Sequence, residues 1–466
     1  MFRCPKVAAL GFCASRSLKG LVASIITLAL AYAIRLPAAE PEFMPFAGVK
    51  PILEAQGEQL PPELKGADQA AWLAWSRGHD KAIRARLEQG DLDSMVNLLL
   101  YGTSFTKQPR IMMESLTQAS KAGILRARVD DLAAALRSPG ENERLVFLQG
   151  LLRRRWLDLE NAGGRETGVF LYNNLLRVLE ERKTLAERSA KAQGAARSLL
   201  FHDRGLSLDT GIFSNFSIEQ ALRDLATRGL LHEGQITRAA VIGPGLDFID
   251  KNEASAYDYY PPQTLQPFAL YDSLVRLGLA KAGALSITVL DISPRVLEHV
   301  ERARTRASKN LGYLMQLPRD RAGAWSEALT AYWRSFGDQA GINVTAMPLP
   351  QVLAGVEARA VRIRPEVVLA CRQVDLDIVV ERLNLSEPDR FDLIVGTNVF
   401  VYYDSFEQSL ALENAGSMLT RGGLLLTNDR LATVPGGSMV FAGFTLVPYN
   451  SLSPDAHEAV SWYRNR

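Results

Sequence analysis

The sequence predicts an α/β protein in which a doubly wound, seven-stranded and mostly parallel sheet follows an all-helical region. From residue 236 onward, apolar runs typical of buried strands alternate with amphipathic helical segments. Between residues 62 and 235 the apolar positions recur only at helical spacing. The last two strand-like segments, GFTLVPYN and HEAVSWYR, are close enough in sequence to pair as an antiparallel hairpin.

The predicted elements follow from these periodicities. The strands are expected at 238–243, 286–291, 367–375, 391–396, 422–428, 442–449 and 457–464. Helices are expected at 265–280, 294–308 and 405–420, with an extra helix at AWSEALTAYWRSF in the long segment 310–364. In the first half, helices are predicted at 70–89, 145–159, 168–182 and 218–231. Gly90 is the expected stop of the first of these, and Ser217 begins a capping box for the last.

Composition limits the classes of protein and site. A chain of 466 residues is long enough for two domains, which we place at 62–235 and 236–466. The net charge of +2 gives no electrostatic argument for binding nucleic acid. Two of the three cysteines lie in the extreme N-terminus, so the body holds only Cys371 and no internal disulfide is expected. The histidines are scattered without ligand spacing, so no metal site is predicted.

The N-terminal segment has the composition of a targeting sequence. Residues 1–20 contain basic residues and no acid, and an apolar run follows at 21–34. That run is shorter than the ~20 residues of a membrane span but suits the core of a signal peptide. We therefore predict a signal peptide or membrane anchor at 1–39, a linker at 40–61, and a body that is exported or anchored, with membrane contact if uncleaved. A buried N-terminal helix is the alternative, and an internal start at Met44 would make the protein cytoplasmic.

Two strand ends suggest a ligand. The run ending at Ile242 is followed by Gly243, Pro244 and Gly245, and the run 287–290 is followed by Asp291. Glycines after a buried parallel strand let the backbone approach a ligand, and an acid after the next strand offers a carboxylate to ribose hydroxyls. The pair predicts a nucleoside-containing cofactor at the carboxyl edge of the sheet. Ordinary turn chemistry is the alternative interpretation of the same residues.

Two further segments complete a family pattern. They are FDLIVGTNVFVYYD, at 391–404, and GGLLLTND, at 422–429. With them, the last half of the chain resembles the class I S-adenosylmethionine-dependent methyltransferases, which have a Rossmann-like sheet. The text TNVFVYYD is most similar to the chemotaxis-receptor methyltransferase branch. The resemblance implies S-adenosylmethionine as cofactor and methyl transfer to an unidentified small-molecule or protein acceptor.

The chain departs from this family in two places. No acid precedes the glycine turn, and far more residues separate Gly245 from Asp291 than the ~20 of a compact unit. We interpret the surplus, 246–268, as an inserted loop over the mouth of the cofactor site. Its tyrosines, Tyr257, Tyr259 and Tyr260, either cap the pocket as a lid or pack on the surface.

The resemblance also implies roles for individual residues. The backbone of the glycine turn would run close to the amino-acid moiety and ribose of the cofactor. Asp291 would hold the ribose hydroxyls, and Asn398 would lie at the methionine end. Asp377 and Ile378 would contact adenine, with Asp375 as an alternative acid. The cofactor-binding candidates are therefore Gly243, Pro244, Gly245, Asp291, Ile292, Asp377, Ile378 and Asn398, and the substrate-side candidates are Asp247, Tyr259 and Tyr402. No catalytic residue is assigned, because positioning alone can carry methyl transfer to a good nucleophile.

Two other functions are compatible with the sequence. One is a non-catalytic, exported binding or scaffold protein that retains the fold. The other is a nicotinamide-dependent oxidoreductase, which the two glycines and the acid fit loosely. The complete GxGxxG pattern of such enzymes is absent here.

Overall fold

The computed structural model describes residues 40–57, 60–112, 115–116, 118–155, 157, 163–189, 205–206, 211–249, 257–453 and 457–466. The expected signal peptide or anchor, 1–39, lies outside these residues. Residues Pro41–Arg466 form one compact unit. Within the described part of the chain, no helix is both long and apolar enough to cross a membrane.

A seven-stranded sheet organises the second half of the chain. Its strands are β2 (Arg238–Ile242), β3 (Ser286–Asp291), β7 (Cys371–Asp375), β9 (Phe391–Gly396), β10 (Leu419–Thr427), β11 (Met439–Pro448) and β12 (His457–Asn465). Their order is β11-β12-β10-β9-β2-β3-β7. The pairings from β10 to β7 are all parallel, and β12 runs antiparallel to both β10 and β11. The predicted fold class is confirmed, including the closing antiparallel hairpin.

The central strands are apolar on both faces because helices cover both sides of the sheet. In β2 the four residues 239–242 are all buried, as expected for a strand inside a parallel sheet. The covering helices include α6 (Ile212–Thr227), α7 (Gln266–Arg276), α8 (Pro294–Ala307) and α11 (Ser405–Met418). A capping box between Asp404 and Glu407 begins α11.

The segment 310–364 folds into more than the one predicted helix. That helix is present as α9 (Glu327–Ser335), where the Ser326 hydroxyl accepts the Leu329 N–H at 3.2 Å. Around it, β4 (Tyr313–Asp320), β5 (Gly341–Val344) and β6 (Val356–Ile363) form a separate antiparallel sheet in the order β4-β6-β5. The strand expected at 367–375 starts late, because its first residues belong to α10 (Pro365–Ala370), which Pro365 opens at a position suited to proline.

The first half is helical as predicted. Its helices are α1 (Phe46–Gln56), α2 (Gln69–Tyr101), α3 (Ala122–Arg137), α4 (Glu143–Arg154) and α5 (Gly163–Ser189), followed by α6. Gly90 does not end a helix but lies inside α2, where an added Cβ would come within 1.7 Å of the Leu206 carbonyl oxygen. Its small size serves a close backbone crossing. Ser217 is likewise interior to α6, so its predicted role as an N-cap is wrong.

The segment interpreted as a linker is part of the folded body. β1 (Pro41–Phe43) pairs antiparallel with β8 (Glu381–Leu383), which follows β7. In α1 the side chains of Val49 and Ile52 are buried. Paired backbone and buried apolar side chains identify a structural element, so residues 40–57 are not a spacer.

Candidate functional site

The glycine turn lies at the point where the strand order reverses. β2 pairs with β3 on one side and with β9 on the other, which places its carboxyl end at the switch point where ligands bind in such sheets. Gly243 and Gly245 have φ of 59° and 71°, in the left-handed region that favours glycine. A Cβ on Gly243 would lie 2.6 Å from Cγ2 of Val399. Both glycines are therefore required by the backbone, and Pro244 between them is buried.

Asp291 ends β3 beside this turn and has one unused oxygen. Its side chain is buried, and Oδ1 accepts the Ser293 N–H at 2.7 Å. Oδ2 is buried without a hydrogen-bond partner. Burial raises the pKa of Asp291 to about 7, although the amides of Ser293 and Ile292 lower it. A ligand hydroxyl donating to Oδ2 would satisfy the carboxylate and favour its charged form.

Asp377, the second predicted acid, is bound within the protein. It is fully buried; Oδ1 accepts the Val379 N–H at 3.0 Å and Oδ2 lies 3.2 Å from His79 Nδ1. The other ring nitrogen of His79 lies 2.9 Å from Glu407 Oε1. Burial lowers the pKa of His79, but the hydrogen bonds and charges of the two carboxylates outweigh it and raise that pKa to about 9. The imidazolium therefore joins two acids. Ile378 is buried beside this group.

Helix α2 also fastens onto the ends of β3 and β7. Arg84 donates from Nη1 to the Ile292 carbonyl at 3.1 Å and from Nη2 to Asp375 Oδ1 at 2.8 Å. Its Nε donates to Asp80 Oδ1 at 2.7 Å. The alternative acid Asp375 is thus half-exposed and paired with an arginine. Through His79 and Arg84, α2 covers the carboxyl edge on the β3–β7 side.

The predicted substrate-side residue Tyr402 meets the same helix. Arg86 donates to the Tyr402 carbonyl at 3.3 Å, and its guanidinium lies 6.0 Å from the centre of the Tyr402 ring. The neighbours Phe400 and Tyr403 are buried in the core. Sequence reasoning missed the role of α2, because polar residues at helical spacing occur as often on solvent-exposed helix faces as on faces that contact a binding site.

Asn398, after β9, belongs to a polar cluster. Its φ is 59°, a left-handed conformation that asparagine tolerates better than most residues. Its N–H donates to Asn428 Oδ1 at 2.8 Å, and Asn428 Nδ2 donates back to Asn398 Oδ1 at 2.6 Å. Asn428 also donates to Glu458 Oε1 at 2.9 Å, and Asn398 Nδ2 donates to Ser214 Oγ at 3.3 Å. The cluster joins the ends of β9 and β10 to β12 and α6.

The described part of the inserted segment packs inside the fold. The Tyr260 hydroxyl donates to Asp247 Oδ2 at 2.6 Å, and the Asp247 N–H donates to the Gln263 carbonyl at 2.7 Å. Tyr257 and Tyr260 are buried, and Tyr259 is half-buried with its ring edge-on to Tyr260 at 4.9 Å. These tyrosines pack within the fold and do not form an exposed lid. Positions 250–256 lie outside the described residues.

A buried arginine holds this segment against the helical region. Arg144 of α4 donates to the backbone carbonyls of Asp247, Phe248 and Tyr260. Asp258 in turn accepts the N–H groups of Thr103 and Ser104, just after α2. The helical region therefore helps to shape the site from two sides.

No protein-family model matches the chain, and no curated protein matches it. Solved structures do match. Magnesium protoporphyrin IX methyltransferase (ChlM) from Synechocystis PCC 6803, with bound SAM, is 11% identical over 54% of this chain and 80% of its own, with a TM-score of 0.26. A putative sarcosine dimethylglycine methyltransferase from Galdieria sulphuraria is 9% identical over 53% and 84%, with a TM-score of 0.27. MtNAS, in complex with MTA and tNA, is 12% identical over 84% and 97%, with a TM-score of 0.24. Likenesses this distant carry no inference about activity.

Proposed function

We propose that this protein binds S-adenosylmethionine at the carboxyl edge of the sheet and transfers its methyl group to an acceptor. The observation that carries the proposal is the buried, unpartnered Oδ2 of Asp291 beside the left-handed glycine turn. A buried carboxylate oxygen without a donor is destabilising unless a ligand supplies one. Vicinal ribose hydroxyls are donors of the required kind. When bound, the sulfonium supplies an electrophilic methyl group.

Different residues of this edge would contact different parts of the cofactor. Gly243 and Gly245 keep side chains away from the ligand, and Pro244 holds the turn between them. Asp291 accepts from the ribose, with the Ile292 backbone fixed by Arg84. The Asn398–Asn428 pair offers amide groups at the ends of β9 and β10, where the amino-acid end would lie.

The adenine contact is less well defined. Asp377 and Ile378 remain our proposed adenine residues by resemblance, but the hydrogen bonds of Asp377 to Val379 and His79 do not favour that role. Asp375, beside Asp291 in the register of β3 and β7, is a neighbouring polar group at the same edge.

Helix α2 contributes by covering the edge. Its ion pairs with Asp375 of β7, with Asp377 and with Glu407 of α11 hold the helix against one side of this edge. Methyl transfer requires that the protein exclude water and hold the two reactants at reacting distance. No general acid or base needs to be assigned if the acceptor is itself nucleophilic.

The direction of the strand beside β10 argues against a nicotinamide-dependent oxidoreductase. The dinucleotide-binding sheet continues with a parallel sixth strand, whereas here the strand beside β10 is the antiparallel β12. The non-catalytic binding protein, the chemotaxis-receptor branch and the export of the chain stay predictions from the sequence.

Calorimetry on the full chain tests the proposed function. We expect S-adenosylmethionine and S-adenosylhomocysteine to bind and NAD not to bind. Asp291→Asn should weaken binding roughly 10-fold or more, the loss of a hydrogen bond to a charged group. Asp338→Asn, which removes an exposed carboxylate on another part of the sheet domain, is the matched control and should bind as the parent does. Binding of NAD in preference to S-adenosylmethionine would overturn the proposal.

A further inference from the structure

A cavity of about 830 Å³ is lined by both the helical region and the sheet domain. Helix α4 contributes Phe147 to it, α8 contributes His299, and β4 contributes Gln316. A volume of this size suits a small organic molecule. The proposed methyl transfer gives these three residues no role.

The cavity borders the proposed cofactor edge. Leu246, which lines it, directly follows Gly245 of the glycine turn. Ser293 also lines it, and the Ser293 N–H donates to Asp291 Oδ1 at 2.7 Å. Gly245 and Asp291 themselves do not line it. A ligand in this cavity would therefore lie beside the ends of β2 and β3 without occupying the cofactor site.

One buried donor in the cavity is the side-chain amide of Gln316. The residue is 2% exposed, and its Oε1 accepts the Met347 N–H at 3.0 Å. Because the Met347 N–H is a donor, it fixes the oxygen of the amide at that position and directs Nε2 elsewhere. Nε2 is buried and has no hydrogen-bond partner in the described part of the chain.

A second donor in the cavity is the imidazole of His299. The residue is 8% exposed, and its Nε2 lies 2.8 Å from the Tyr313 hydroxyl. That hydroxyl oxygen accepts the Thr264 N–H at 2.8 Å, so its own hydrogen is available to Nε2. A neutral ring that accepts at Nε2 carries its proton on Nδ1. Among the residues that the structure describes, Nδ1 has no hydrogen-bond partner.

The charges that act on His299 are positive. Burial, together with the charges of Arg302 and Arg295, lowers the pKa of His299 to about 4. The ring is therefore neutral at pH 7, and its Nδ1–H lies in a positive potential. An acceptor with a negative charge is favoured at this position.

The whole lining has a small positive balance. It contains four arginines and three acids, which are Arg154, Arg295, Arg302, Arg306, Asp91, Glu143 and Glu298. Arg295 pairs with Asp91 at 3.2 Å. The excess of a single positive charge matches a singly charged anion better than a phosphate ester with its charge of about −2.

The remaining lining is largely apolar. It includes Val146, Phe147, Leu246, Phe248 and Leu314. Apolar walls with a few convergent polar groups are typical of sites for small molecules, in which the polar groups set the orientation of the ligand.

We infer that this cavity binds a small molecule with one carboxylate and an apolar body, whose carboxylate accepts hydrogen bonds from His299 Nδ1 and Gln316 Nε2. Buried donors without acceptors are destabilising, and a carboxylate supplies acceptors for both. The inference does not depend on the proposed methyl transfer, because it rests on two donors outside the cofactor site.

Calorimetry on the full chain tests the inference with three probes of the same shape. They are 3-phenylpropanoate, 3-phenylpropanamide and 3-phenylpropylamine. We expect the acid to bind at least roughly 10-fold more tightly than the amide, because its hydrogen bonds are to a charged group, and the amine to bind weakest. Equal binding of acid and amide, preference for the amine, or binding of none of the three would overturn the inference. A separate titration with S-adenosylmethionine decides the proposed function alone.

A variant of Gln316 shows whether the acid binds in this cavity. Gln316→Glu keeps an oxygen for the Met347 N–H and replaces the Nε2 donor by an acceptor, so it should abolish the preference for the acid. Gln69→Glu makes the same exchange at an exposed position at the start of α2 and should bind as the parent does. Thermal melting checks that both variants fold. Unchanged binding of the acid to a folded Gln316→Glu variant would contradict the assignment.

Nitrogen NMR of the parent chain decides the matter even if that variant does not fold. The signals of His299 are identified by their loss in His299→Asn. We expect a proton on Nδ1 and none on Nε2 in the ligand-free chain. The Nδ1 signal should move on addition of 3-phenylpropanoate and stay in place on addition of 3-phenylpropylamine. The opposite tautomer, or an Nδ1 signal that does not respond to the acid, would overturn the inference.

Discussion

The ends of β3 and β7 carry two buried aspartates that differ in one respect. Asp291 and Asp377 both follow strands of the same sheet, and both were expected to contact the cofactor. Asp377 has partners for both oxygens, among them the imidazolium of His79. Asp291 leaves one buried oxygen without a partner. Burial is common to both residues, so the unmet hydrogen bond, and not burial, distinguishes the acid that we propose binds a ligand from the structural one.

The largest expected effect concerns the structural acid. Asp377→Ala should destabilise the protein by about 3–5 kcal/mol, because it leaves the buried His79 without one of its two charged partners. Urea unfolding measures the loss. Asp375→Ala is the control at the same strand end, because its half-exposed carboxylate pairs with Arg84 near the surface and should contribute less than about 1 kcal/mol. Equal losses in both variants would contradict the comparison.

The pH dependence of stability tests His79, the partner of Asp377 in the same ion pair. The pKa of His79 is raised in the folded state to about 9 from 6.5. Its contribution is therefore fully present below about pH 6.5 and is lost as the pH rises through about 9, a change of about 3 kcal/mol. His79→Asn should remove that part of the slope between pH 7 and 10. A variant that loses stability in this window as steeply as the parent would show that His79 is not the charged link.

For Asp291 the expected signs are opposite for stability and binding. Its folded pKa, raised to about 7, means that the stability it contributes is present at low pH and lost as the pH rises from about 4 to 7. Asp291→Asn should thus stabilise the ligand-free protein at pH 8 by roughly 1–3 kcal/mol while weakening S-adenosylmethionine binding. The affinity of the parent should rise between pH 6 and 8, and that of the variant should not. Melting curves and calorimetry at both pH values decide this, and a destabilised variant would contradict it.

The smallest effect separates backbone strain from crowding. Gly243→Ala should cost about 1–2 kcal/mol for its left-handed φ and add a clash with Val399. Gly140→Ala has a similar φ of 56° with nothing within 4 Å of the added Cβ, so it reports strain alone. The difference between the two in urea unfolding measures the crowding at the turn. No difference would mean that Val399 moves aside freely.

The sequence predicts the sheet well, and it brings the two candidate strand ends together, because those signals are local. An apolar run, two glycines and an acid within a few positions are sufficient to place Gly243, Gly245 and Asp291 at adjacent strand ends. The antiparallel strands of 310–364 were missed because their short apolar runs are interrupted by charged residues and prolines.

The contacts of Asp377 could not be predicted in the same way. His79 is 298 positions away from it along the chain, and no periodicity connects a helical residue to one particular strand end. Gly90 was misinterpreted for a related reason. A glycine after a helical run predicts a stop, but the backbone of Leu206 that crosses it becomes apparent only in three dimensions.

The path of α2 has a consequence for how this chain acquires its structure. At ~1.5 Å per residue, its 33 residues extend about 50 Å. Outside the helix, the polar partners of His79 and Arg84 lie 208 to 328 positions later in the chain, from Ile292 to Glu407. During synthesis the helix therefore leaves the ribosome well before the acids that pair with His79 and Arg84. Contacts of such separation slow folding. Because they also hold the carboxyl edge of the sheet, a chain beginning at residue 236 should lose part of the proposed ligand site and should not fold as an independent module.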